Sequence, residues 1–470
     1  MLKKVMCLIA CGVIFLTPCT TAFANSAQTS WSGVSASGAA VVDKDCPLVV
    51  ENEKLVFDIP EFPQSYYDST KDYLNYSASV TAEYTFKNTA DYKVDATLVF
   101  PFGAYPSYVY YDEETGYNAD TEKFDILVNG KATKKKLRHT FVSLDEFDKE
   151  KDISRLKDGF KEDEFFSPNT PVKVYVFEAK GIDESLLSSA CVIAPFSADP
   201  DKTRIVLSDC TFLEYKDDKV FAGLWTDIGT SFTMYVIGED IDYTPEWTIY
   251  ENGMQENEID GEVELLFTDK STFKDIALMF HRQDGGISES DWYNAVIDKL
   301  NYYEYDLGFI GSDYEFLVTD ELMRWYEYSL SAEPNQTITN TVTAPLYPTI
   351  DEGYEPPKYE YTYLLSPAQS WKEFGELDIE INTPYNLLKS NLGKFSNDGE
   401  KYTLHLDSLP KGECEFTLCS VKKPKKIHTP IVLGVPLEII ILIAIVFVIL
   451  IAVIIVLAVN VATNRKKKND

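Results

Sequence analysis

The chain reads as mainly β: two antiparallel β-sandwich modules with helical insertions, plus one C-terminal transmembrane helix. Three observations predict this. Short runs alternate apolar and polar residues through most of the sequence. Clusters of Gly, Asn, Asp and Pro interrupt those runs about every ten residues, the spacing of short antiparallel strands. Near the end, Ile439 to Val459 is apolar without a break.

The two ends are targeting segments, not part of the fold. Lys3 and Lys4 precede an apolar run over 5–16, and Ala22-Phe23-Ala24 has the small-x-small form that a signal peptidase cuts. This predicts a signal peptide over 1–24. Residues 25–47, rich in Ser, Ala, Thr and Gly, follow as a flexible lead-in. At the other end, Ile439 to Val459 would reach about 32 Å as a helix, matching a hydrocarbon core of about 30 Å. The transmembrane helix is therefore placed at 435–461. Arg465, Lys466, Lys467 and Lys468 suit a cytoplasmic tail over 462–470. Lys422, Lys423, Lys425 and Lys426 fall in an outer juxtamembrane stalk, 422–434, because an exported N-terminus precedes the span. The expected location is the cell membrane, single-pass, with the N-terminal domain outside, in the style of a Gram-positive-type envelope. A sortase signal would need Leu-Pro-x-Thr-Gly. Leu409-Pro410-Lys411-Gly412-Glu413 lacks the threonine and lies far upstream, so the helix is expected to be retained.

Between the ends, the first module is expected over 48–165. In "VTAEYTFKNTADYKVDATLVFPFG", Val80, Ala82, Tyr84 and Phe86 share one strand face, and Val94, Ala96, Leu98 and Phe100 share another. With turn chemistry at Asn88 to Asp91, this predicts an antiparallel hairpin over one core. "SLDEFDKEKDISRLKDGFKEDEFF" repeats its apolar residues at roughly helical spacing and predicts a surface helix and loop. The second module is expected over 166–421, beginning with "VKVYVFEA", "CVIAPF" and "RIVLSDCTFLEY" and running through "IALMF". A helical insertion is placed at about 288–331. Ser288-Glu289-Ser290-Asp291 resembles a capping box ahead of "WYNAVIDKLNYY", and Thr319-Asp320 can cap "ELMRWYEYSL" as a second helix. Strands resume with "TITNTVTA", "YEYTYLLS", "ELDIEI", "YTLHL" and "CEFTLC". The two modules are expected to meet within 140–190, with room for strand exchange between them.

The elements "VTAEYTFKN" and "ATLVFPF" resemble the vault/inter-alpha-trypsin, or VIT, domain. The shared pattern is an aromatic-Asn strand end and a strand closing in Phe-Pro. The resemblance implies a β-sandwich and protein contacts, and it implies no catalytic residues. In many such proteins a von Willebrand A domain with an Asp-x-Ser-x-Ser metal site follows. Here Asp269-Lys270-Ser271-Thr272-Phe273 puts Phe273 where the second serine should be.

Charge and cysteines narrow the function classes. With 43 Lys+Arg against 75 Asp+Glu, the net charge is −32. That field repels nucleic acid and anionic surfaces, so no nucleic-acid partner is expected. Five cysteines follow the signal peptide. "CVIAPF" and "IVLSDC", folded back on each other, would put Cys191 opposite Cys210 as a candidate disulfide, with two buried thiols as the alternative.

The four histidines have no partner at metal-ligand spacing. Phosphate loops, dinucleotide fingerprints and nucleophile elbows are missing. No cofactor or metal is expected. Tyr mixed with carboxylates and amides in "SYVYYDEETGYNAD" and "NYYEYDLGFIGSDYEF" makes Tyr110 and Tyr302 candidate glycan contacts, with half-buried strand and loop positions as the ordinary alternative. The sequence thus points to a non-catalytic membrane-anchored surface protein whose sandwich modules serve contact with an envelope protein partner or envelope support. A carbohydrate-binding module is the first alternative. An envelope hydrolase, marked by two convergent carboxylates, is the second.

Overall fold

A computed structural model describes residues 46–63, 76–103, 124–141, 149–182, 189–253, 257–281, 286–304, 306–312, 317 and 321–427, with the short pairs 36–37, 40–41, 431–432 and 435–436. The expected signal peptide, the span at 439–459, the basic tail and Tyr110 lie outside the described residues. Among the described residues no helix is long and apolar enough to cross a membrane.

The chain is mainly β, as its alternating pattern requires. The first sandwich opens with β1 (Leu48–Asp58), β2 (Ser79–Asn88), β3 (Val94–Gly103), β4 (Asp125–Val128) and β5 (Lys135–Phe141). A six-residue helix, α1 (Lys149–Ser154), follows; it is all the helix the described part of the expected 143–166 surface helix contains. An inserted module then runs through β6 (Pro171–Lys180), β7 (Ser189–Phe196), β8 (Thr203–Ser208), β9 (Cys210–Lys216), β10 (Lys219–Asp227), β11 (Ser231–Gly238), β12 (Thr248–Tyr250) and β13 (Glu262–Thr272). It ends with α2 (Phe273–Ala277), α3 (Glu289–Tyr302) and β14 (Phe309–Ser312). The first sandwich resumes with β15 (Leu322–Ala332) and β16 (Thr337–Pro345). It is completed by β17 (Lys358–Leu364), β18 (Phe374–Asn382), β19 (Asn386–Ser390), β20 (Lys401–Leu406) and β21 (Cys414–Cys419).

Strand pairing redraws the expected boundary at 165/166. β15 lies between β3 and β5, and β16 pairs with β2, so strands from beyond residue 320 complete the sandwich begun at residue 48. The inserted module leaves at the end of β5 and returns at the start of β15, where Leu322 is opposite Phe141. An eight-stranded sheet, containing β20-β18-β1-β2-β16-β4 in that order, forms one layer. The sheets built on β3-β15-β5 and on β17-β21-β19 form the other. Leu55, Phe57, Val80, Ala82, Ile338 and Ile379 from the first layer meet Leu98, Phe100, Tyr328, Tyr361 and Phe416 from the second in one continuous core. The expectation of purely antiparallel sheets also needs correction: β1 runs parallel to β18, and β8 parallel to β14. Sequence-distant segments brought to neighbouring positions need no tight hairpin between them, so either direction is open.

The predicted hairpin of β2 and β3 is a corner instead. Both strands present the expected faces to the core, but β2 belongs to the eight-stranded sheet and β3 to the opposite layer. The chain crosses between sheets at 89–93. Asn88 holds the crossing: fully buried, its amide nitrogen donates to the carbonyls of Tyr92, Ala332 and Glu333 at 2.9–3.1 Å, and its Oδ1 accepts from Ala90 N at 2.9 Å. A side chain with both donor and acceptor atoms satisfies backbone groups that no ladder reaches at such a crossing.

The inserted module has three layers. The sheet β13-β6-β11-β8-β14 packs one face on the sheet β9-β10-β7-β12, through Phe177, Val192, Leu207, Leu224 and Met234. Its other face, with Val172, Val206 and Ile237, takes α2 and α3 through Phe273, Trp292, Val296 and Leu300. "IALMF", read as a strand, begins as α2 because Thr272 caps it, its hydroxyl accepting from Asp275 N. "ELMRWYEYSL", read as a helix, is β15. One of its faces (Tyr326, Tyr328, Leu330) enters the main core, and the other (Met323, Trp325) packs on Val99, Ile153 and Leu364. A strand buried on both faces loses the alternation that marks strands.

Residues 351–358 and 423–427 group as a separate unit, in which Tyr354–Glu355 pairs antiparallel with Lys425–Lys426.

Candidate functional site

The site grows from α3. Ser288 caps the helix, its hydroxyl accepting from Asp291 N at 3.1 Å. Asp291 does not reach back to complete the expected capping box. Its carboxylate accepts from Arg138 Nε and Nη2 at 3.1–3.2 Å and from His139 N at 3.0 Å. Arg138 also donates to Glu327 at 2.7 Å and to the Lys157 carbonyl at 2.7 Å. Arg138 and Asp291 are 2 % and 3 % exposed. This buried pair clamps the helix of the inserted module to β5 and β15. Burial, with Arg324 and Arg138 close by, pushes the His139 imidazole down to about 3, so it stays neutral.

Further along α3, Asn294, Asp298 and Asn301 recur at i, i+4 and i+7, one stripe of the helix. The stripe holds the segment after α1. Asn294 accepts from Lys161 N at 2.7 Å and donates to the Gly159 carbonyl at 3.0 Å. Asp298 pairs with Lys161 Nζ at 2.9 Å and faces Arg155 Nε at 3.9 Å. Asn301 donates to Asp163 at 3.4 Å. Between this stripe and α1 lies a cleft of about 470 Å³, with Tyr302 and Asn301 on its helix side and Lys151, Arg155, Lys157 and Lys161 around it. That volume falls within the range of small-ligand pockets.

Tyr302 is 37 % exposed and is not free to swing. Its ring meets Tyr303 edge-on at 5.0 Å and leans on Phe141 at 5.9 Å. Arg155 is held by Asp152 at 3.0 Å and by the Phe141 carbonyl. Lys151 and Lys157 stand exposed at the rim.

A second cleft, of about 420 Å³, lies on the outer face of the eight-stranded sheet, beside Lys54, Asp378, Glu380 and His405. Its carboxylates are matched to bases. Lys401 at 2.7 Å and Lys54 at 3.6 Å flank Glu380, and the hydrogen bond from Lys401 holds that carboxyl below its ordinary range. His405 bonds Asp378 at 2.7 Å, which raises the imidazole. The carboxyl that burial pushes up furthest toward neutrality is elsewhere. Glu53, fully buried between the sheets, is raised to about 7 against hydrogen bonds from Tyr84 and Tyr363, and it lines neither cleft.

Of the residues singled out by sequence, Tyr302 lines a cleft. The candidate bridge does not form. Cys191 is opposite Trp225 on β10, while Cys210 is opposite Leu224 on the other side of that strand. Two strand spacings separate them, about 10 Å, beyond disulfide reach. Both thiols are free, and burial pushes Cys210 up to about 11. "CVIAPF" and "IVLSDC" go to different sheets, because β7 pairs with β10 and β8 with β11. The bases of the first cleft were missed, since Lys and Arg among many carboxylates read as solvated surface. The polar stripe on α3 was the available signal.

No family profile matches the chain, and no curated protein matches it. Among solved structures, a proposed nutrient-binding protein from Legionella pneumophila is similar at 12 % identity. It covers 82 % of this chain and 71 % of its own, with a TM-score of 0.35. The yellow fluorescent protein phiYFP of Phialidium covers 50 % of this chain and 93 % of its own, at 8 % identity and a TM-score of 0.07. Likeness of this degree carries no argument about function.

Proposed function

We propose that the chain is an exported surface protein, held in the membrane by the single apolar span 439–459 with its β-rich part outside, and that it binds a saccharide without transforming it. The observation that carries the saccharide reading is the Tyr302 cleft. A pinned, exposed ring beside an amide and several cations offers a stacking face and hydrogen-bond donors together. A binding role is also supported by the carboxyls. The raised one, Glu53, is sealed in the core, and Glu380 in the second cleft is held ionised, where hydrolysis needs an acid able to donate a proton. On this reading the aromatic-Asn and Phe-Pro elements shared with VIT-type sequences serve the corner between sheets. Contact with an envelope protein is the second reading. It is favoured by the outer face of β10, where Trp225 is 44 % exposed beside its partner strands. The test is a glycan array probed with the full chain in lipid nanodiscs. Retention on a restricted set of glycans supports saccharide binding; a blank array, with an envelope protein captured by crosslinking instead, favours the second reading.

A further inference from the structure

We infer that the two-stranded unit at 351–358 and 423–427 rests on a bilayer surface of anionic lipid headgroups. The inference rests on the anchored reading above, in which the span 439–459 holds the chain in the membrane, and adds a second contact with that membrane. Lys425 and Lys426 pair with Glu355 and Tyr354, and Ile427 N donates to the Gly353 carbonyl at 2.8 Å. Alternation puts Lys426 on the face of Tyr354 and leaves Lys425 beside Glu355 on the other. Lys358 joins the first face, its ammonium 3.1 Å from the centre of the Tyr354 ring. That face combines two cations with an aromatic ring and, within the ladder, no carboxylate. Lys423, Lys425 and Lys426 are exposed, and Ile427 is 49 % exposed. Among the described residues no ion pair or hydrogen bond engages the ammonium of any of these three lysines. Four lysines of the unit stand against Asp351, Glu352 and Glu355, in a chain with 43 bases against 75 acids. Asp351 is taken up by Gly353 N at 3.0 Å.

Chemistry and position both select a lipid surface. A tyrosine ring suits the headgroup level, and lysine stems lie along apolar surface while their charged ends reach phosphates. Ile427 is twelve residues before Ile439, at most about 40 Å of extended chain, so the strip stays near the bilayer. Tethering keeps the effective concentration high, and a modest attraction then suffices. The acidity of the whole chain does not oppose this, because charges more than about 10 Å away are largely screened at 0.1 M salt. Each lysine close to an anionic surface strengthens the contact about fivefold.

The test is lysine acetylation, read by mass spectrometry, on the full chain in nanodiscs of phosphatidylcholine with and without phosphatidylglycerol. Lys423, Lys425 and Lys426 should react at least about fivefold more slowly in the anionic discs, and high salt should abolish the difference. Lys216 and Lys219, exposed on β9 and β10, should react equally in both discs. The double variant Lys425→Glu/Lys426→Glu should return Lys423 in anionic discs to its rate in neutral ones. Both sites are exposed, so the substitutions disturb no core. Equal rates in the two discs overturn the inference. So does equal slowing in both, which would make the contact independent of lipid charge. Soluble polyphosphate that slows the three lysines over neutral discs as much as phosphatidylglycerol does would also overturn it, since any polyanion would then serve. Carbonate extraction of the chain from vesicles separates the two ideas. A chain stripped off by carbonate sinks the anchored reading and this inference with it; a chain retained, with its lysines unprotected, sinks this inference alone.

Discussion

Glu53→Gln should make the protein more stable at pH 8 and leave it unchanged at pH 4. Glu53 sits on β1 between the two layers, fully buried. Tyr363 donates to its Oε1 at 3.4 Å, while Oε2 has no hydrogen-bond partner among the described residues. Burial, opposed by the hydrogen bonds from Tyr84 and Tyr363, raises the carboxyl from about 4.5 to about 7. Below its ordinary value the group is protonated in both folded and unfolded chains and costs nothing. Between about 4.5 and 7 the unfolded chain releases the proton and the folded one holds it, so stability falls as pH rises. Above about 7 both are ionised and the full penalty remains. A rise of this size corresponds to about 3 kcal/mol. Glutamine keeps the shape and cannot ionise. The assay is urea unfolding of wild type and variant at pH 4, 6 and 8, compared at each pH so that other titrating groups cancel. The variant's advantage should be near zero at pH 4 and about 3 kcal/mol at pH 8. An advantage that does not change with pH would show that the carboxyl is not trapped in the core, and would refute the reasoning.

Three further outcomes follow from the same geometry. Asn88→Ala removes the donors that hold the corner and leaves buried carbonyls unpaired; it should cost about 2–3 kcal/mol in urea unfolding, far more than the exposed neighbour Asp91→Ala. Asp291→Ala strands Arg138 with Glu327 as its remaining partly buried carboxylate, so thermal unfolding should report a loss of about 3 kcal/mol, and Asp291→Asn should lose less because it keeps an acceptor. Alkylation under denaturing conditions without reductant should label both Cys191 and Cys210; protection of the pair until a reductant is added would contradict the strand order.

How far the fold was legible depends on what each signal measures. Alternation reports which face of a strand is buried, and it placed Val80, Ala82, Tyr84 and Phe86, and Val94, Ala96, Leu98 and Phe100, toward the core correctly. It says nothing about which sheet a strand joins. A polar turn suits a hairpin and a corner equally well, and the groups that decide it, the carbonyls of Ala332 and Glu333, come from far along the chain. β15 was misread because both of its faces are buried. α3 was legible because its cap is local, while the partner that takes Asp291 away from the cap, Arg138, is not. The burial of Glu53 follows from Leu55 and Phe57 by alternation, but the bulge after Val50 breaks the pattern before it. That bulge in turn needs Gly375, where any side chain would meet the Glu51 carbonyl. In the cleft, Tyr302 stood out as an aromatic. Its basic surroundings exist only because the stripe of Asn294, Asp298 and Asn301 draws the segment after α1 onto the helix.

The most direct test of the central claim is the affinity of Tyr302→Ala for the glycan best retained on the array, measured by titration calorimetry beside its melting temperature. The ring is partly exposed, so its removal should leave folding nearly intact while the lost stacking weakens binding about tenfold or more. Unchanged affinity in a well-folded variant would contradict the account and move recognition away from this cleft.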